Sequence, residues 1–393
     1  MEETYKISVV MPCYNVEDYV EETLQSLFAQ TFQDFEIICI DDGSTDGTLA
    51  VLEQIGKEHE NMRVIPETNH KQGYERNKGI ELSTGKYIYY MDSDDLLTEN
   101  CFQVIYDYAE KKQLDLLFFE ADSFYETEEL EKDFPQYKTL YHRKKEYPEE
   151  YTGEELYTIL RANGDMMVSP CLQLVRREFL MEENIRFPEL PLMEDNLYSF
   201  YCTLAAKRAG CITDRLYRRR VRASSTMTAV QNEARAYALE FTLCKMLEKS
   251  EEYLDKPEVL EAVQNHVLGI FRQISNIYQN NTLEKNREIS DKMREVSLKE
   301  ILPCIVMLDL KYKKAVQDKN KFGKENKELK NKLKAANAKK TELKKRVNAL
   351  EKRAEKQSEK LQNKTEKIKE LREKLASLNS RFLVRVSRKL HGE

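Results

Sequence analysis

Four β-favouring residues, Tyr87-Ile88-Tyr89-Tyr90, run straight into Met91-Asp92-Ser93-Asp94-Asp95, and this junction constrains the fold more than any other stretch. An apolar and aromatic run without polar alternation reads as a strand buried on both faces, as in a sheet covered by helices. In open α/β sheets ligands bind beyond the carboxyl ends of the strands, which is where this run turns acidic. Three carboxylates at i, i+2 and i+3 repel one another, and a cation would neutralise them. Mg²⁺ and Mn²⁺ take oxygen ligands and commonly share them with substrate phosphates. The alternative is that Asp94 or Asp95 caps the helix starting near Glu99, a role that needs only one of them.

Charge divides the chain. A net charge of −6 over 393 residues conceals a basic C-terminal portion, because residues 311–393 carry 28 Lys/Arg against 11 Asp/Glu. Residues 1–310 therefore hold 35 against 58. A hydrophobic fraction of 41% supports a real core. The eight cysteines are scattered from Cys13 to Cys304 without a CxxC pair, the usage expected of reduced core thiols. No basic-then-apolar segment opens the sequence and no apolar run reaches membrane-spanning length. A cytoplasmic protein is expected, with peripheral contact at the inner face of the cell membrane left open.

In chain order, Lys6 to Met11 reads as a first strand broken at Pro12, followed by a helix from Glu17 to Gln30. Strand Phe35–Ile40 ends in the turn Asp41-Asp42-Gly43-Ser44-Thr45-Asp46-Gly47, and a helix over Thr48–Glu58 follows. A weaker strand at Arg63-Val64-Ile65, a helix over Tyr74–Leu82, the Tyr87 strand, a helix over Asn100–Lys112 and a strand over Leu114–Phe119 come next. This alternation predicts a doubly wound parallel α/β sheet. Neither the GxxxxGK[ST] phosphate loop nor the GxGxxG dinucleotide fingerprint is present. An aspartyl-phosphate enzyme would place its nucleophile after strand one, where this chain has Pro12-Cys13-Tyr14-Asn15.

Five segments, in order, resemble glycosyltransferase family 2. They are Val10 to Asn15, Ser26 to Phe32, Asp41 to Gly47, Gly73 to Gly79 with Arg76-Asn77 inside it and Gly85-Lys86-Tyr87 after it, and Asp92-Ser93-Asp94-Asp95. The resemblance implies a GT-A, Rossmann-like fold and inverting transfer from a nucleotide-diphosphate sugar, expected to be UDP-linked. It implies that Pro12, Tyr14 and Glu17 line the nucleobase pocket and that Asp42 accepts the N3–H of a uracil-type base. Arg76 would approach the donor near its diphosphate or base, Asp92 would touch ribose or metal, and Asp94 would ligate Mn²⁺ or Mg²⁺. An ionised Asp only accepts hydrogen bonds, which suits a base N–H; a turn-stabilising role for Asp42 is the alternative. Asp46 reads as a turn residue or cap. Glu75 departs from the family, which has a small residue beside the Arg.

Thr152-Gly153-Glu154-Glu155 is a capping-box pattern opening a helix through Leu160. Leu192-Met193-Glu194-Asp195-Asn196 opens another, with Leu197, Phe200, Tyr201 and Leu204 as its buried stripe, and resembles the family's Glu-Asp motif. The resemblance implies Asp195 as catalytic base, since an attacking hydroxyl must lose its proton; helix N-capping by Asp195 is the alternative. Arg215, Arg218, Arg219, Arg220 and Arg222 resemble the Tyr-x-x-Arg segment that ends the catalytic domain. Arg forks match phosphate oxygens, and strand residues alternate faces. Arg218 and Arg220, or in the opposite register Arg219, would face the leaving diphosphate.

The expected organisation is a catalytic domain over 1–228, a helical module over 229–310, a coiled coil over 311–380 and a basic amphipathic end over 381–393. The coiled coil rests on a 4–3 apolar repeat from Leu329 to Leu378 that fails at Lys340, Gln357 and Lys364. It predicts a homodimer, with a single amphipathic helix as the alternative. Phe382 to Leu390 could touch anionic lipid or be a solvated helix end. Lys spread around a heptad helix is ordinarily a solvated face rather than a nucleic-acid surface. The expected function is metal-dependent sugar transfer to a glycan or polysaccharide hydroxyl, as in polysaccharide biosynthesis. Its rivals are a non-catalytic sugar-nucleotide or glycan-binding module on a coiled-coil scaffold and a nucleotidyltransferase, which would release pyrophosphate.

Overall fold

A computed structural model describes residues 4–190, 192–223, 233–280 and 344 of the chain. Strand β1 (Ile7–Cys13) is followed by α1 (Val20–Phe28), β2 (Phe35–Asp41), α2 (Thr48–Gly56), β3 (Met62–Pro66) and α3 (Gln72–Leu82). The acidic junction follows β4 (Tyr87–Tyr90) and precedes the short β5 (Leu96–Leu97), α4 (Cys101–Lys112) and β6 (Leu116–Tyr125). Helices α5 (Glu128–Asp133) and α6 (Gly153–Asn163), strand β7 (Gln173–Arg176) and helices α7 (Arg177–Glu182) and α8 (Glu194–Ala205) lead to β8 (Ala209–Val221). Helices α9 (Glu233–Ser250) and α10 (Pro257–Asn280) follow.

The strands form one eight-stranded sheet in the order β3-β2-β1-β4-β7-β6-β8-β5. It is mixed, where the alternation of elements predicts a parallel sheet. The half from β3 to β4 is parallel, but β7 pairs antiparallel with both β4 and β6, and β5 runs antiparallel to β8. The chain re-enters the sheet between β4 and β6 as β7, directly after a 3₁₀ turn at Pro170–Leu172.

β4 is buried on both faces. Tyr87 and Tyr89 belong to one core layer and Ile88 and Tyr90 to the other, as strand alternation requires. The tyrosines keep their hydroxyls satisfied: Tyr87 donates to Glu110 Oε1 (2.7 Å), Tyr89 to the Cys171 carbonyl (3.0 Å), and Tyr198 donates to Tyr90 Oη (3.0 Å). Pro12 does not end β1, which continues to Cys13. The Val10 carbonyl accepts from Met91 N at the end of β4. Pro12, two residues on, faces the same way past that end, so the ladder asks no N–H of it. Gly79 lets α3 lie directly on β1, because a methyl group there would collide with Val10. The capping box at Thr152 forms, with Thr152 N donating to Glu155 Oε2 (2.8 Å).

Helices α9 and α10 pack on each other and against α8 and α6. Tyr157 of α6 and His266 Nδ1 of α10 are hydrogen-bonded at 2.9 Å, and burial beside Arg161 holds the imidazole down to about 3, so it is neutral. The heptad repeat and the basic end at Phe382–Leu390 lie outside the described residues. Among the described residues, no helix is long and apolar enough to cross a membrane.

Candidate active site

The carboxyl ends of β1, β2 and β4 open on one edge of the sheet. Beyond β1 the chain turns at Asn15 (φ 51) and is laced to the turn after β2. Asn15 N donates to Ser44 Oγ (3.0 Å) and Asn15 Oδ1 accepts from Thr45 N (2.8 Å). Glu17 Oε2 accepts from Gly47 N (2.5 Å), and Val16 N donates to Thr48 Oγ1. Asp46 braces the start of α2, accepting from Thr48 N (3.0 Å) and Oγ1 (2.6 Å). Pro12 is buried and Tyr14 exposed at the rim. Asp42, 5% exposed, accepts from His70 N (2.6 Å) and Lys71 N (3.1 Å). The loop after β3 therefore closes over the end of β2.

The three aspartates after β4 have three different partners. Asp92 Oδ1 accepts from Arg76 Nη2 (3.1 Å), while Arg76 Nη1 donates to Glu194 Oε1 (2.5 Å). Arg76 is 4% exposed. Burial works against its charge, but Glu194 and Asp92 outweigh it and hold the guanidinium above its ordinary range. It ties the end of β4 to the start of α8. Asp94 Oδ2 accepts from Arg222 Nε (2.7 Å). Burial and the charge of Asp92 push the Asp94 carboxyl up, and Arg222 opposes them. Asp95 caps no helix; α4 starts at Cys101, behind Asn100. Instead Asp95 fastens β8, accepting from Tyr217 Oη and Arg220 N, both at 2.6 Å.

Strand β8 turns its alternate arginines two ways. Arg220 donates to the Asp94 carbonyl (2.8 Å) and to Glu22 (2.5 Å), and lies over Tyr19 and Phe124. Arg218 is exposed and also lies near the Phe124 ring, 5.2 Å from its centroid. Arg219 is buried under Tyr137 and Tyr141. Arg222, which sequence reasoning did not single out within the cluster, is the one that pairs with Asp94. Strand alternation was the available signal, since Arg218, Arg220 and Arg222 share a face. Glu194 was likewise noticed only as the neighbour of Asp195.

Asp195 sits in the first turn of α8, not at its N-cap. That position is Met193, at φ 64 in the left-handed region, with no side-chain cap bond. Burial, followed by the adjacent Glu194 carboxylate, pushes Asp195 up to about 7, and Arg76 works in the opposite direction. Asn196 Nδ2 donates to Asp195 Oδ1 at 3.3 Å. A carboxyl half-ionised near neutral pH, with Arg76 and Asp92 close enough to bear on it, has the character of a proton acceptor.

Among the described residues, no group of three or more His, Cys, Asp or Glu side chains is arranged to hold a metal on its own. A cation bound through one or two carboxylates and substrate phosphates needs no such cage. Asp92 and Asp94 fit that shared kind of site: their side chains are 38% and 21% exposed, and their mutual repulsion raises Asp94.

A mixed α/β sheet with this acidic edge, a carboxylate at the end of β2 and arginines arriving from β8 is an architecture of the GT-A kind. Solved structures agree on the fold. TarS of S. aureus, residues 1–349 in complex with UDP, superposes with a TM-score of 0.54 at 24% identity, over 71% of this chain and 76% of that one. Residues 8–183 match the family model described as Glycosyl transferase family 2, and over those residues the chain is a family 2 glycosyltransferase domain. The poly(ribitol-phosphate) beta-glucosyltransferase of Bacillus spizizenii is 42% identical over 115 residues, which is 28% of this chain but only 18% of that protein. Glycosyltransferase GlyG of Streptococcus pneumoniae is 29% identical over 235 residues, 56% of this chain and 72% of that protein.

Proposed function

We propose that the protein transfers a sugar, with inversion, from a nucleotide-diphosphate donor to a hydroxyl of a glycan or polysaccharide acceptor, with Asp195 as general base. The observation that carries this reading is Asp195 itself, a carboxyl raised to about 7 at the acidic sheet edge and coupled to the Glu194–Arg76–Asp92 bridge. As the acceptor oxygen bonds to the anomeric carbon, its proton passes to Asp195. The bond from that carbon to the phosphate oxygen breaks, and the nucleoside diphosphate leaves with the electron pair. A raised pKa makes Asp195 a stronger base than an ordinary Asp while leaving much of it ionised at neutral pH.

Pro12, Tyr14, Glu17 and Asp42 receive the nucleobase in this reading. Arg76 holds Asp92 and the start of α8 in register, while Arg220 and Arg222 offset charge gathering on the leaving diphosphate. Asp92 and Asp94 would hold Mn²⁺ or Mg²⁺, a cation that adds to this charge neutralisation when bound. A uridine donor is supported by TarS, whose structures are in complex with UDP and UDP-GlcNAc. A surface-polymer acceptor is supported by the ribitol-phosphate polymer named for the Bacillus spizizenii relative. A cytoplasmic homodimer joined by the heptad segment, touching anionic lipid through its basic end, completes the proposal.

A panel of nucleotide sugars incubated with the full chain and Mn²⁺ or Mg²⁺ tests it. One donor should be hydrolysed slowly, releasing nucleoside diphosphate. Release of pyrophosphate from a nucleoside triphosphate, with every sugar donor inert, would overturn the reading.

A further inference from the structure

Beside Asp42 lies a carboxyl that the transfer chemistry does not use. Glu75, in the first turn of α3, is 0% exposed. Neither of its oxygens meets an N–H or O–H donor among the described residues. It does lie within hydrogen-bonding reach of the Asp42 carboxylate. Two carboxylates attract only when a proton stands between them, and their surroundings decide which keeps it. Asp42 already accepts from two backbone N–H groups, those of His70 and Lys71. Glu75 has no donor and no water-exposed surface, so the proton belongs to Glu75.

The other charged groups around Glu75 do not reverse this. Burial comes first, then Asp42, and then Glu67 pushes Glu75 up, with Lys78 opposing; the carboxyl reaches about 8. Lys78 is itself engaged by Glu67 at 3.3 Å. The nearby His70 ring is turned onto Tyr74, with centroids 4.4 Å apart, and bonds Thr68 Oγ1. Lys71 holds φ 77, a left-handed value that a non-glycine residue keeps only under constraint. The two amides it and His70 aim at Asp42 supply that constraint.

We propose that Glu75 is a positioning residue of the donor pocket that works as a neutral acid, donating its proton to Asp42 so that nucleotide binding requires a protonated Glu75. The inference rests on the reading that Asp42 faces the nucleobase. An ionised carboxylate only accepts, which suits a uracil-type N3–H, and the Glu75 proton keeps Asp42 aimed while leaving it that role. Ionising Glu75 puts two like charges in one buried pocket. The hydrogen bond between them is lost, and relief comes through release of the His70–Lys71 amides. The Glu75→Gln substitution keeps a donor of the same size but cannot ionise.

The test is calorimetry of UDP with the full chain and with E75Q, at fixed Mg²⁺, from about pH 6 to about pH 9.5. Above about pH 8 the wild-type affinity should fall, approaching tenfold per pH unit for one linked proton. E75Q should change only as far as the nucleotide's own titration dictates, which both proteins share. Parallel profiles for the two proteins would overturn the role of Glu75 while leaving the donor reading intact. Failure of the wild-type protein to bind UDP at any pH would overturn the donor reading, and this inference with it. If E75Q does not fold, the wild-type protein alone decides. Near pH 8, in two buffers of different ionisation enthalpy, UDP binding should take up about half a proton, and zero uptake would overturn the proposal.

Discussion

Asp195 is set between opposing influences: burial and Glu194 raise it, and Arg76 holds it from rising further. A general base must be ionised to act, so activity is lost as pH falls through its pKa. The expected pH profile of kcat/KM therefore rises to a plateau through about 7, well above the range of an ordinary Asp. Asp195→Asn is nearly isosteric and should leave UDP affinity within about twofold while lowering transfer by roughly 10²–10⁴-fold. Transfer at the wild-type rate would show that the residue takes no proton. Arg222 offers a second measurement at this scale. It pairs with Asp94, and a charge-assisted bond to a diphosphate is worth about 1.5–3 kcal/mol. Arg222→Ala should weaken UDP about ten- to a hundredfold, read by the same calorimetry; unchanged affinity would remove it from the donor site.

At the scale of elements, the site depends on where β8 runs, and Asp95 decides that. Removing its carboxyl leaves Tyr217 Oη and Arg220 N without their acceptor in a buried setting, each costing about 1–3 kcal/mol. Asp95→Ala should therefore lower the melting temperature by several degrees. Asp95→Asn, which can accept from Arg220 N and donate to Tyr217 Oη, should lie close to the wild type. The same strands show what was legible before the structure. β1, β2 and β4 were readable because each is a buried run ending in a polar turn, and α6 because its capping box is a local signal. β7 was not assigned as an antiparallel insertion, because Gln173-Leu174-Val175-Arg176 is too short to declare its partners and pairs far away in sequence. The acidic trio was visible, but its division of labour was not. Arg76, Arg222 and Tyr217 meet Asp92, Asp94 and Asp95 only through tertiary contacts, and a side chain's distant partner leaves no trace in local spacing. Glu75 stood out as an oddity beside Arg76, but its pairing with Asp42 needed α3 to be laid against the end of β2.

For the whole molecule, the open quantity is how many catalytic domains act together. The apolar positions from Leu329 to Leu378 keep a 4–3 spacing, with Val347 and Ile368 at a and Leu at most d positions, the preference of a two-stranded parallel coil. Lys340 at an a position and Lys364 at a d position cost stability but fix register and disfavour larger assemblies. With 28 Lys/Arg against 11 Asp/Glu over residues 311–393, the two strands repel each other, and salt screens that repulsion. The expected outcome is a dimer at micromolar concentration that tightens as salt rises, the opposite of an assembly held by ion pairs. Pairing would also set two Phe382–Leu390 ends side by side, strengthening any attraction to anionic lipid through avidity rather than new contacts. Sedimentation equilibrium of the full chain at low and high salt, beside a chain ended after Cys304, measures this directly. A full-length monomer under all conditions would remove the coiled coil and leave the catalytic assignment as it stands, because every residue invoked for donor and base chemistry lies before Ala223.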